Sequence, residues 1–277
     1  MKVVYTKSEL ANINKGGEKL GFVPTMGALH IGHFSLVEAA ILENQNIVVS
    51  IFVNPTQFND KNDLNNYPRN NTKDLAALDH LLRPDDIVFI PSVNEMYPKP
   101  DNRIFDFGNL EKVMEGMHRS GHFNGVAQIV SKLFDTINPA KAYFGEKDLQ
   151  QLAIIRKLIE IIQSPVEIIG CPIVRESDGL AMSSRNQLLS PAERKESARI
   201  YQALSNVPSL SKEISVKELK QITIDFLNES ALLSVEYFEI VDGKSLLPIS
   251  DWDPAIQIFG CVAVRVGNIR LIDNIRI

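Results

Sequence analysis

Short runs rich in β-branched and aromatic residues alternate with helix-length amphipathic segments through the first two thirds of the chain, and this alternation limits the fold more than any other property of the sequence. "KLGFVP" (19–24), "NIVVSIFV" (46–53), "DDIVFIP" (85–91), "AYFGE" (142–146) and "PVEIIGCPIVR" (165–175) read as strands. Helices are expected after His33, around "TKDLAALDHLL" (72–82), from "VAQIVSKLFDTI" (126–137) and from "DLQQLAIIRKLIEII" (148–162). Strands separated by helices form a parallel sheet covered on both faces, because a parallel crossover needs a dozen or more residues and the helix supplies them. Ligands of such sheets bind beyond the carboxyl ends of the strands, where Thr25, Asn54 and Gly145 fall.

After about Asn186 the pattern changes. Ser190 and Pro191 open "SPAERKESARIYQAL" as N-cap and first helical residue, and "SVKELKQITIDFLNES" is a second amphipathic helix. The remainder reads as strands, "SVEYFEIVDG", "IQIFGCVAVRVG" and "IRLIDNIRI", the last two joined through "GN" as a hairpin. A smaller α+β domain is therefore expected to follow the parallel sheet.

Formal net charge is −5 over 277 residues, and no stripe of Lys and Arg forms, so a dedicated nucleic-acid binder is not expected. No run approaches a membrane span, and the N-terminal stretch lacks the apolar segment of a secretory signal. Cys171 and Cys261 are too few for a disulfide framework and too far apart for a zinc motif; buried reduced thiols and a cytoplasmic location are expected.

Four clusters carry candidate chemistry. In "FVPTMGALHIGH" a strand exits through Gly27 and Gly32 into a helix start with His30 and His33 three apart. Exposed N–H groups and the positive end of the helix dipole suit phosphate there; ordinary helix-start packing and a histidine metal pair are the alternatives, but for the metal no Cys, Asp or Glu lies nearby at ligand spacing. "SIFVNPTQFND" places Asn54 and Gln57 at a strand exit, where their amides suit hydroxyls or carboxylates, although Asn-Pro is also an ordinary turn opener. "FGEKDLQQL" presents Lys147 as a point charge for phosphate and Asp148 as a helix cap or Mg²⁺ contact, against the simpler alternative of a solvated loop lysine. "RESDGLAMSSRN" combines hydroxyls and backbone N–H groups with Arg185 as a bidentate donor, which favours a mobile nucleotide-binding loop over an interdomain linker.

Taken in order, "PTMGALHIGH", "SIFVNPTQF", "YPR", "GHFNGVAQIVSKLF", "FGEKDLQQL", "DGLAMSSRN" and "RLIDN" resemble the pantoate–β-alanine ligase (pantothenate synthetase) family from about Val23 to Asn274. The first and fourth clusters also resemble the HIGH and KMSKS elements of class I aminoacyl-tRNA synthetases, within a wider HIGH-type nucleotidyltransferase superfamily. The resemblance implies a Rossmann-like catalytic domain over residues 1–175 and a smaller α+β domain over 176–277 that closes over the nucleotide. It further implies a homodimer and the Mg²⁺-assisted reaction of ATP, (R)-pantoate and β-alanine to pantothenate, AMP and pyrophosphate.

Residue by residue, the resemblance makes Met26, Gly27, Ala28, Leu29, His30, Ile31, Gly32 and His33 ATP contacts, with His33 as proton donor. Gly145, Glu146, Lys147, Asp148, Val174, Met182, Ser183, Ser184 and Arg185 match the remaining ATP contacts, and Gln57 and Gln151 the pantoate-binding glutamines, Gln57 also near β-alanine. Charge stabilisation on phosphate is expected from His30, His33, Lys147, Ser183, Ser184 and Arg185. Two positions depart from the family pattern: Ile31 replaces an acidic residue common between the histidines, and Ser120 replaces the proline common in "RSGHF", which leaves Arg119 and His122 without an assigned role. An aminoacyl-tRNA synthetase fragment fits the acidic balance poorly. A nucleotide adenylyltransferase does not account for "NPTQF" with "GEKDLQQL".

Overall fold

A computed structural model describes residues 1–14, 17–253 and 257–277. The expected parallel sheet is present. Its six strands are β1 (Lys2–Val4), β2 (Gly17–Thr25), β3 (Asn46–Ile51), β4 (Ile87–Phe89), β5 (Pro139–Gly145) and β6 (Glu167–Cys171), paired in parallel in the order β1-β4-β3-β2-β5-β6. Ile47, Val48, Val49, Val88 and Phe89 are completely buried, as strands covered on both faces must be. The edge strand β1 is too short to show a periodicity and was not foreseen.

The strand order reverses at β2: the chain proceeds outward from it through β3 to β4, then returns to its other side with β5 and β6. The crevice beyond the carboxyl ends of β2 and β5 is thus the switch point where doubly wound sheets bind ligands. Thr25 and Gly145 close those two strands.

The helix after β2 spans Ile31–Glu43, and Asn71–Asp79, His122–Ile137 and Leu149–Ile161 match the other expected helices. His122–Ile137 begins four residues earlier than the apolar pattern indicated. Gly121, at φ 77°, turns the chain into it, and Gly125 lies so close to Thr56 that a Cβ would stand 2.3 Å from the Thr56 carbonyl oxygen. The helix therefore rests on the backbone leading into Gln57, an approach that only glycine allows.

The chain forms two compact units. Met1–Phe107, His118–Glu146 and Gln151–Pro172 make the first; Gly108–Met117, Lys147–Gln150 and Ile173–Ile277 make the second. The second unit holds the helices Pro191–Leu210 and Val216–Asn228 and an antiparallel sheet of β7 (Leu233–Asp242), β8 (Ile258–Val266) and β9 (Ile269–Arg276) in that order. Ser190 caps its helix with Pro191 at the first position, and β8 and β9 form the expected hairpin; Ile256, expected to open β8, lies outside the described residues. Leu204, Val207, Leu219, Phe238, Ile240 and Val264 are the centre of this unit's core. Cys171 in β6 and Cys261 in β8 are buried free thiols.

Two outlying segments belong to the second unit because side chains there hold them. Arg270 of β9 grips Glu115 with two hydrogen bonds of 2.6 and 2.7 Å, and the Tyr237 hydroxyl donates to the same carboxylate at 2.7 Å. Gln150 then ties the segments to each other: its Oε1 accepts from the Glu115 N–H, while its Nε2 donates to the Leu110 and Val113 carbonyls. Among the described residues no helix is long and apolar enough to cross a membrane.

Candidate active site

Beyond β2 the chain makes a tight turn with Gly27 at φ 79° and Ala28 at φ 49°. Its most important partner is Asp74, only 2% exposed, whose Oδ2 accepts the Ala28 N–H at 2.9 Å and whose Oδ1 accepts the Leu29 N–H at 2.8 Å. A Cβ on Gly27 would stand 3.1 Å from both Asp74 Oδ2 and Ile51 Cγ2, so the turn is confined between carboxylate and sheet as well as left-handed. The Gly27 N–H donates to Thr25 Oγ1 at 3.2 Å.

The two histidines cap the helix that follows. His30 is the N-cap and its Nδ1 accepts the Gly32 N–H at 3.2 Å; His33 Nδ1 accepts the His30 N–H at 3.3 Å, and the rings lie 4.0 Å apart between centroids. An imidazole that accepts at Nδ1 carries its proton on Nε2, so both rings are hydrogen-bond donors at Nε2. This changes the expected chemistry of the turn. The N–H groups of Gly27, Ala28, Leu29, His30 and Gly32 each donate to an acceptor within the protein, so these five main-chain amides do not form an open anion cradle. Gly27, Ala28 and Leu29 are buried, His30, Gly32 and His33 half-buried, and Ile31 exposed.

Beyond β3, Asn54 is almost wholly committed internally. Its Nδ2 donates to the Gly125 carbonyl at 3.0 Å and to Gln57 Oε1 at 3.1 Å, while its Oδ1 accepts from Tyr97 at 2.9 Å and Thr56 at 3.1 Å. Asn54 thus orients Gln57. Gln57 Nε2 faces the Met26 sulfur at 3.1 Å, its sole acceptor among the described residues, and a thioether accepts weakly. His122 fixes the same residue through the main chain: Arg119 Nη1 meets its Nε2 at 3.1 Å and, since arginine only donates, Nδ1–H must donate to the Gln57 carbonyl at 2.7 Å. This gives Arg119 and His122 a place that the sequence left open. Gln151, half-buried, belongs to the same unit.

In the second unit, the Lys147 side chain is only 18% exposed, which weighs against a freely solvated lysine, and its Nζ stands 3.4 Å from Asp148. Its carbonyl accepts from Asn274 Nδ2 at 3.0 Å. Glu146, which ends the preceding segment, and Gly145 are half-buried. Gln150 is buried in the bonds described above, whereas its neighbour Gln151 is half-buried.

Val174 and Met182 face each other across a short hairpin, the Met182 N–H donating to the Val174 carbonyl at 2.9 Å. Asn186 anchors its far end to Glu176 at 2.8 Å and the Ala181 carbonyl at 3.1 Å, and Ser183 Oγ accepts the Arg185 N–H at 3.3 Å. Ser184 is buried; Ser183 and Arg185 are half-buried. The segment expected as a mobile loop is therefore stitched into the unit at both ends.

Asp74 and Asn274 were missed by sequence reasoning. For Asp74 a signal existed: it shares a helix face with Leu78, four residues on and fully buried, and a carboxylate on an apolar face requires donors.

The family profile described as Pantoate-beta-alanine ligase matches residues 2–276. A pantothenate synthetase of Bacteroides thetaiotaomicron is 50% identical, covering 100% of this chain and 99% of the relative, and one of Phocaeicola vulgatus is 52% identical with the same coverage. The crystal structure of pantothenate synthetase from Thermus thermophilus superposes with a TM-score of 0.92 at 42% identity, covering 99% of each chain. The Francisella tularensis pantoate-beta-alanine ligase, solved with β,γ-ATP and β-alanine, superposes at 0.83 with 33% identity, covering 100% of this chain and 97% of that one. With the capped histidine pair at the switch point and agreement along the whole sequence, the chain belongs to the pantoate–β-alanine ligase family.

Proposed function

We propose that His30, His33, Gln57, Lys147, Gln151, Ser183, Ser184 and Arg185 carry the family's reaction in this chain: ATP-dependent condensation of (R)-pantoate with β-alanine to pantothenate, AMP and pyrophosphate, through pantoyl adenylate. A carboxylate is a poor acyl donor, because its leaving group would be oxide. A pantoate oxygen therefore attacks the α-phosphorus in line with departing pyrophosphate, and catalysis consists of positioning and of donors aimed at developing charge. The Nε2–H groups of His30 and His33, the Lys147 ammonium, the two serine hydroxyls and the Arg185 guanidinium are the donors. In the second half-reaction the neutral amine of β-alanine attacks the acyl carbon, the nitrogen loses a proton, and AMP leaves with the electrons of the broken C–O bond.

Gln57 is the observation that carries the substrate assignment. Among the described residues its Nε2–H has only a thioether as acceptor, and a hydroxyl or carboxylate oxygen of pantoate supplies a better one. Asn54, proposed from the sequence as a substrate contact, fits better as the residue that orients Gln57.

Asp148 suits a Mg²⁺ that takes most of its ligands from phosphate and water: its carboxylate is 44% exposed beside Lys147, and the described residues hold no cluster of three ligand-type side chains. Bound there, Mg²⁺ would neutralise phosphate charge. A homodimer, which rests on the resemblance, and a cytoplasmic location, which rests on the two reduced cysteines, complete the reading, and light scattering tests the first. The test of function is pantothenate formation with ATP, pantoate and β-alanine each omitted in turn, joined to exchange of labelled pyrophosphate into ATP. Exchange with pantoate alone is expected; a requirement for β-alanine would contradict the adenylate route.

A further inference from the structure

The motif "RLIDN" in β9 takes part in no step of the reaction, yet its side chains sort by strand parity into two groups. Leu271 and Ile275 turn to the core, and Asp273 shares their side. Arg270 and Asn274 lie on the other, where they hold Glu115 and the Lys147 carbonyl. Asp273 is 4% exposed and balanced by Arg175, which donates to it at 2.6 and 3.0 Å, and by the Asn274 N–H at 2.7 Å. Arg175 reaches further, to the carbonyls of Asn274 at 3.1 Å and Gly179 at 3.0 Å. It stands next to Val174 at the root of the hairpin that leads to Ser183. One connected set of bonds thus fixes the Lys147 main chain and the arm carrying Ser183 to Arg185.

We propose that Asn274 is a positioning residue for Lys147, with the Arg175–Asp273 pair holding both Asn274 and the Val174–Met182 arm in register. This rests on the proposed role of Lys147. A lysine presents its charge on a flexible four-carbon stem, so the anchor of its main chain decides where the ammonium can dwell. Small displacements of a charge-stabilising group have large kinetic effects.

The experiment is a double-mutant cycle on the two half-reactions, read as single-turnover rates for Asn274→Ala, Lys147→Ala and the double variant, with thermal midpoints recorded alongside. Asn274→Ala is expected to slow adenylation about tenfold, the scale of one lost hydrogen bond. Attack of β-alanine on preformed pantoyl adenylate should change by less than about twofold, and in the Lys147→Ala background Asn274→Ala should add less than about twofold. Asn274→Asp keeps the shape but sets an acceptor against the Lys147 carbonyl, and should slow adenylation at least as much if Asn274→Ala does not fold. Equal slowing of both half-reactions, or full additivity with Lys147→Ala, overturns the inference while leaving Lys147 in its role. A normal adenylation rate in folded Lys147→Ala overturns both.

Discussion

The turn at residues 26–33 and the segments around Lys147 and Ser183 are both proposed to meet ATP, but they are held in different ways. In the turn, the His30 and His33 rings accept from near neighbours, while Thr25 reaches the Ser50 carbonyl and Ala28 reaches Asp74, 46 residues away. Lys147 depends on Asn274, and Arg175 on Asp273, 98 residues away. In the first region most main-chain amides are engaged and both imidazoles are oriented by short-range bonds to the helix start. The second takes its geometry from a strand made much later in the chain. Local bonding leaves a sequence signature; distant bonding leaves little.

The largest expected effect lies in the local region. His33→Ala removes a donor and a cap partner of the His30 N–H, and adenylation should fall by about 100- to 1,000-fold, the usual loss for one transition-state donor. A folded variant with a near-normal single-turnover rate would break the assignment of imidazole donors to this turn. Asp74→Asn should come next. It replaces a charged acceptor of two N–H groups by one that can face them with a single oxygen, and about 3 kcal/mol of stability should be lost. Denaturant unfolding tests this, and an unchanged midpoint would show that the turn holds itself without its distant partner.

Gln57→Ala and Gln151→Ala should weaken pantoate by about tenfold or more while changing ATP affinity little, since an unpaired site amide penalises the substrate it would recognise. Arg185→Ala should show the reverse. Titrations in which all three variants weaken both ligands equally would erase the distinction between acid recognition and phosphate handling.

The smallest effect concerns helix ends. Glu193 and Glu218, bonded to Ser190 and Ser215, have carboxyls held below their ordinary values by those main-chain and hydroxyl donors. A depressed folded value stabilises above the unfolded value and is lost as pH falls through the glutamate range. Amide exchange at the starts of Pro191–Leu210 and Val216–Asn228 should therefore accelerate on acidification.

The parallel sheet, the long helices and the final hairpin were legible because their periodicities are strong, and Ser190-Pro191 marked a helix start with its own chemistry. The strand β1 was not, being three residues at an edge, nor was the start at His122, where two glycines resemble a loop until the close approach to Thr56 is seen. Gly27, His30 and His33 stood out in the sequence, but not that the histidines would face their own main chain. That reversal of roles depends on φ and ψ, which composition does not carry. Asn274 was quoted within a motif without a task because its partner is a backbone carbonyl, and carbonyls are the same in every residue.

Asn274 follows Lys147 by 127 residues, and chains are made from the N-terminus. At ordinary rates of synthesis about ten seconds separate the two. By then β6 has long been complete, and Asp74, which accepts the Ala28 and Leu29 N–H groups, is already in the chain. The Asn274 partner of the Lys147 carbonyl is not. A growing chain therefore carries Asp74 well before Lys147 gains its Asn274 partner, and on the positioning role proposed for Asn274 full acid activation awaits β9.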